Sequence, residues 1–154
     1  MGITNSNKEV DVSEISCDGI VKVTLGLSAA PDISSNPTDI VLVLDRSGSM
    51  SGSPLANMKT GAKTFIDIID ESTDSAQDGH IGSGSHMGIV SFASIATADT
   101  GLITSTEDLK NVVDGLAAGG ATNHADAFTK AIQLFDPASS NAKVMVMFTD
   151  GKTT

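Results

Sequence analysis

Two short segments of the chain are apolar at nearly every position, residues 40–44 (IVLVL) and 143–148 (KVMVMF), and residues 86–94 (HMGIVSFAS) supply a further strand between them. Runs of this length, rich in β-branched residues, predict strands buried on both faces, as in parallel sheets. Between them the apolar period changes to three and four residues. Leu55, Met58, Ala62, Phe65, Ile66 and Ile69 predict one helix, with Ser53 as N-cap and Pro54 at its first position. Leu109, Val112, Val113 and Leu116 predict a second, capped by Ser105 or Thr106. Ala125, Phe128, Ala131, Ile132 and Phe135 predict a third that Pro137 ends. Residues 97–104 (TADTGLIT) read as a short antiparallel edge strand. Upstream, Ile20, Lys22 and Thr24 alternate with Val21, Val23 and Leu25, which predicts a strand in an N-terminal extension over residues 1–37. A polar, Pro-containing connector at residues 31–39 then opens the main domain, residues 38–154.

Strand, helix, strand, helix, strand with connectors longer than a hairpin is the order of parallel βαβ units. The expected fold is therefore α/β, a doubly wound, mainly parallel sheet with helices on both faces. Residues 84–87 (GSHM) look like a cloning remnant but run unbroken into the second strand, so they are read as native sequence.

Composition narrows the function. The chain has 154 residues, 40% of them apolar, which suits one domain with a real core. A formal charge of -10 argues against nucleic acid or an anionic membrane surface as partner and favours cations. Trp and Tyr are absent, which removes the stacking platforms of many carbohydrate and single-strand binders. Cys17 is the single cysteine, so no intrachain disulfide forms, and it is read as a structural or incidental thiol. No apolar run reaches transmembrane length and the first residues lack the pattern of a signal peptide, so an exported parent is expected to have lost its signal before this chain.

In doubly wound sheets, ligands bind beyond the carboxyl ends of the strands. Three polar clusters fall in such loops: Asp45, Ser47 and Ser49 after the first core strand, Thr122 before the third helix, and Asp150 after the last strand. Two carboxylates and three hydroxyls make a shell of hard oxygens, suited to Mg²⁺ or Mn²⁺, with Ca²⁺ also admitted. Gly48 is expected to let the backbone turn tightly between the serines. So few protein charges leave room for an outside acidic group on the ion. Each cluster alone has a plainer reading, as a helix cap or a turn; the three together, in order, favour the site.

Other chemistries fit less well. An EF-hand starting at Asp45 would need acidic or amide side chains where Ser47 and Ser49 stand, and Glu where Ala56 stands. The best-spaced glycine pair for a phosphate loop, Gly115 and Gly120, is followed by Ala121 rather than Lys. No Gly-x-Ser-x-Gly elbow surrounds the serines, and His80, His86 and His124 offer no defensible catalytic base. A metallohydrolase would also want a second metal cluster, so no enzyme activity is expected.

The stretches DIVLVLDRSGSM, GIVSFAS, GGATNHADAF and VMVMFTDG resemble the von Willebrand factor type A domain, with its Asp-x-Ser-x-Ser metal-ion-dependent adhesion site, over roughly residues 38–151. The resemblance implies a Rossmann-like fold in which Ser47 and Ser49 bind the ion through their hydroxyls. It implies that Asp45 and Asp150 act directly or through water, and that Thr122 joins in the ligand-bound, open form. A partner's carboxylate, or water, would take the remaining position. The implied function is metal-dependent binding of an acidic protein ligand at a cell surface, with composition resembling exported bacterial surface proteins. The alternative is an intracellular module docking an ATPase or another subunit through the same site. Arg46 departs from a neutral site: it either points away into solvent or helps draw an acidic partner. The family would continue with two more strand and helix units, so the chain is expected to be an N-terminal portion completed by a C-terminal segment or second chain.

Overall fold

A computed structural model of the chain describes residues 36–75 and 77–152. The extension expected over residues 1–37, its strand and Cys17 lie outside the described residues, apart from Asn36 and Pro37. Strand β1 (Thr38–Asp45) is buried at every position, as a run of Ile, Val and Leu on a strand requires when both sheet faces are covered. It pairs in parallel with β2 (His86–Phe92) on one side and with β4 (Ala142–Phe148) on the other. A short β3 (Ala96–Ala98) runs antiparallel beyond β2, which makes the order β3-β2-β1-β4.

Alternate residues of β1 face opposite layers. Ile40, Leu42 and Leu44 pack with Met58, Ala62, Ile66 and Ile69 of α1 (Ser53–Asp74) and with Leu109 and Val113 of α2 (Thr106–Gly115). Val41 and Val43 pack with Ala127 and Ala131 of α3 (His124–Leu134). Helices thus cover both faces, as expected for a doubly wound sheet. Each fully buried Leu or Ile in these layers contributes about 2 kcal/mol. The chain steps from β1 to β2 on one side and later returns to the other side with β4, so the order reverses at β1. That reversal leaves a crevice at the carboxyl ends of β1 and β4.

Several local expectations are corrected. Gly52, not Ser53, caps α1; its φ of 83° lies in the left-handed region that glycine enters without penalty, and no side chain supplies a capping bond. A one-turn 3₁₀ helix over Gly48–Met50 delays the start of α1. The edge strand is Ala96–Ala98, earlier than most of residues 97–104. It ends there because the side chains of Asp99 and Thr100 take the N–H groups of Ser91 (2.7 Å) and Ile89 (2.9 Å) in place of strand carbonyls. On α3 Ala127 and Ala131 face the sheet, while Ala125, Phe128 and Ile132 are exposed. Ser105 caps α2 as expected, accepting from the Asp108 N–H. Residues 84–87 are built into the fold: buried Ser85 accepts from the Thr38 N–H at 3.0 Å, and Met87 is wholly buried.

Candidate metal centre

At the crevice, β1 ends on Asp45, whose side chain is buried and whose two oxygens hold the surrounding turn. Its Oδ1 accepts from the Ser47 N–H at 2.9 Å, and its Oδ2 accepts from the Thr149 hydroxyl at 2.6 Å. The first bond folds the Asp-Arg-Ser segment back on itself; the second ties the end of β4 to the end of β1. Ser47 Oγ, also buried, lies 3.1 Å from Ser49 Oγ, and the Ser49 hydroxyl donates to Asp150 Oδ1 at 3.3 Å. The Lys152 N–H donates to the same oxygen at 3.0 Å. Among the described residues, Asp150 Oδ2 is left buried with no hydrogen-bond partner.

Four of the five predicted residues, Asp45, Ser47, Ser49 and Asp150, are therefore brought together in one bonded group. Thr122 is tied elsewhere: it sits in the loop before α3, and its hydroxyl donates to the Lys152 carbonyl at 3.3 Å. That loop is nonetheless stitched to the serine turn. The Gly119 N–H donates to the Arg46 carbonyl and the Gly48 N–H to the Gly120 carbonyl, each at 2.8 Å. A β-carbon on Gly48 would lie 3.3 Å from the Gly120 carbonyl oxygen, so Gly48, besides opening the tight 3₁₀ turn, serves this close approach. Gly120 has a φ of +85°, and a β-carbon there would meet Ser94 Oγ at 2.8 Å. Ser94 in turn accepts from the Ala121 N–H at 2.9 Å.

Arg46 does not point away into solvent. It is half-buried, and its Nε donates to Ser91 Oγ at 3.2 Å, which fixes the side chain over β2. Sequence reasoning also missed Thr149, which orients Asp45. Its place directly before Asp150 is the one local signal, and its partner Asp45 lies 104 residues away across the sheet.

The donor set fits a divalent ion on the evidence of its own bonding. A buried carboxylate oxygen without a partner costs on the order of 1–3 kcal/mol, and a cation would satisfy it. Two hydroxyls facing each other offer lone pairs in the same place. Among the described residues no group of three His, Cys, Asp or Glu side chains forms, so this site consists of mixed carboxylates and hydroxyls.

Comparison with known proteins agrees with the fold. Residues 39–154 match the model of the von Willebrand factor type A domain. The chain belongs to that family. It is 30% identical over 138 residues to inter-alpha-trypsin inhibitor heavy chain H4 of Bos taurus, a match covering 81% of this chain and 14% of that protein. Among solved structures it resembles the vWF domain of the type V pili tip protein Mfa5 from Porphyromonas gingivalis, with a TM-score of 0.68 and 20% identity over 77% of this chain and 39% of that one. It also resembles proximal thread matrix protein 1 from the mussel byssus with a zinc-occupied MIDAS motif. There the TM-score is 0.56 and the identity 25%, over 73% of this chain and 28% of that one. The chain thus spans a minor part of each relative's length.

Proposed function

We propose that the chain is a divalent-cation-dependent protein-binding module whose site is held by Asp45, Ser47, Ser49 and Asp150, with Thr122 joining from the loop before α3. The observation that carries this reading is the buried, unpartnered Asp150 Oδ2 beside the paired Ser47 and Ser49 hydroxyls. Hard oxygens favour Mg²⁺ or Mn²⁺ and admit Ca²⁺; the byssus relative, with zinc in its motif, supports a metal at this type of site. When bound, the ion supplies positive charge that an acidic group on a protein partner can share. The chain's own residues orient and position: Thr149 holds Asp45, and the Gly48 and Gly120 backbones hold the two loops in contact. No bond is made or broken in this reading, and it is a binding function rather than an enzyme.

The outer edge of β4 is a second contact region. Among the described residues β4 pairs on one side only, and Val144 on the strand, with Phe128 and Ile132 on α3, is exposed. Such an edge takes a further strand, from the same polypeptide or another chain. We place the module outside the cell, a reading supported by the pilus-tip and byssus relatives. Among the described residues no helix is long and apolar enough to cross a membrane. Titration with Mn²⁺, read by electron paramagnetic resonance, tests the metal reading. One ion per chain, lost in Asp45→Ala, is expected; equal uptake by both proteins contradicts it.

A further inference from the structure

We infer that the polar cluster around Asp39, at the opposite end of the sheet from the metal centre, is a register lock for β4 and thereby the device that positions Asp150; the second part rests on the metal reading above. The central residues of β4 are Val144, Met145, Val146 and Met147. A slip of one residue would turn every side chain to the wrong face, and packing forbids it. A slip of two puts Val144 where Val146 stood and Met145 where Met147 stood, with the same faces and the same volumes, while Lys143 takes the place of Met145 and Ala142 that of Val144. The positions of Val146 and Met147 are therefore blind to that error, and the residues on either side of them must detect it.

At the carboxyl end, Phe148 meets Phe65 edge-on with ring centroids 6.5 Å apart. At the amino end the discrimination is polar. Asp39, 2% exposed, accepts from Asn141 Nδ2 at 2.9 Å and from Ser139 Oγ at 3.2 Å, both on the segment that leads into β4. It also accepts from His86 Nδ1 on β2 at 3.0 Å. Asn141 Nδ2 further donates to the Gly84 carbonyl at 3.0 Å, and the Ala142 N–H donates to the Pro37 carbonyl at 3.1 Å. Lys143 Nζ closes the segment onto itself through the Ser139 carbonyl at 2.8 Å. A buried carboxylate on the middle strand thus ties both neighbouring strands at one level. An advance of β4 by two residues would break the Asn141 and Ser139 bonds together. It would carry Asp150 about 6.6 Å beyond its place beside Ser49.

The test uses the full chain with Cys17→Ser, so that the native thiol does not compete. Cysteines at Thr38 and Ala142 report the native pairing, since these residues are opposite one another. Cysteines at Ile40 and Ala142 report the advanced pairing. In the native register that second pair lies on a diagonal of about 8 Å, too far for a disulfide, whereas after the slip it is adjacent. Under mild oxidation the otherwise unaltered protein is expected to cross-link only the native pair, and Asn141→Ala to cross-link the advanced pair as well. Its Mg²⁺ affinity, measured by calorimetry while the protein is folded, is expected to fall roughly tenfold or more. Ile66→Val, which loosens the core but removes none of the Asp39 hydrogen bonds, is expected to lower the melting temperature and keep the affinity. Cross-linking of Asn141→Ala confined to the native pair overturns the lock whatever the affinity does. If Asn141→Ala does not fold, Ser139→Ala, which removes one hydroxyl, carries the same comparison. If the unaltered protein takes up no Mg²⁺, the metal reading fails, and the cross-links alone still decide the register.

Discussion

The two ends of the sheet hold buried aspartates in opposite conditions. Asp39 near the start of β1 has both oxygens occupied by side-chain donors from β2 and from the segment that leads into β4. At the other end Asp45 is also fully bonded, but Asp150 beside it keeps one buried oxygen without a partner. Burial alone therefore does not distinguish structure from site; the state of the bonding does. A saturated carboxylate fastens strands, and a deficient one invites a ligand.

Breaking the saturated end should have the larger effect on stability. Asp39→Ala leaves the Asn141, Ser139 and His86 donors behind without their acceptor, and denaturant titration should show a loss of about 3 kcal/mol or more, which Mg²⁺ does not restore. Gly120→Ala comes next, at about 1 kcal/mol, because the new side chain must adopt a φ of +85° and push Ser94 aside; melting experiments and metal titration should show both effects. Lys63→Ala removes an exposed pair with Asp114 between α1 and α2 and should cost under about 0.5 kcal/mol in the same assay. Smallest of all, Asp150→Asn measured in chelator should leave stability within about 0.5 kcal/mol, since it neutralises a charge that nothing in the metal-free protein fully satisfies.

Acid sharpens the same contrast. Burial would raise the Asp39 carboxyl, but hydrogen bonds from Asn141, His86 and Ser139, with the charge on His86, outweigh it and hold the group below its ordinary value of 3.8. The folded protein therefore releases this proton more readily than the unfolded chain. The stabilisation is fully present above the ordinary value and is lost as the pH falls through the lowered folded one. Asp39→Asn should flatten the acid limb of the stability profile below about pH 4, as measured by urea unfolding across pH.

What was legible in the chain follows from how local each signal is. The five apolar residues of β1, the Ser105 cap and the spacing of Asp45, Ser47 and Ser49 are all encoded within a few positions. The Asp39 cluster is not, because His86 and Asn141 lie 47 and 102 residues away and meet it only through the sheet. For α3 the pattern was ambiguous: Ala127 and Ala131 are small enough for close packing on the sheet, which turns the larger Phe128 and Ile132 outward against the usual preference. Gly48 was read for its freedom, but its missing side chain matters because another backbone lies against it. The role of Thr149 depends on β1 and β4 ending side by side, a matter of strand order that no short motif records.

The central claim, a divalent ion at the deficient end of the sheet, is tested most directly by thermal melting of the unaltered chain and of Asp150→Ala, each in chelator and in Mg²⁺. With the ion at about a hundred times its dissociation constant, the unaltered chain should gain about 2.7 kcal/mol, and Asp150→Ala should gain nothing. Equal melting of the unaltered chain in chelator and in saturating Mg²⁺ or Mn²⁺, or an equal gain in the variant, would contradict the account.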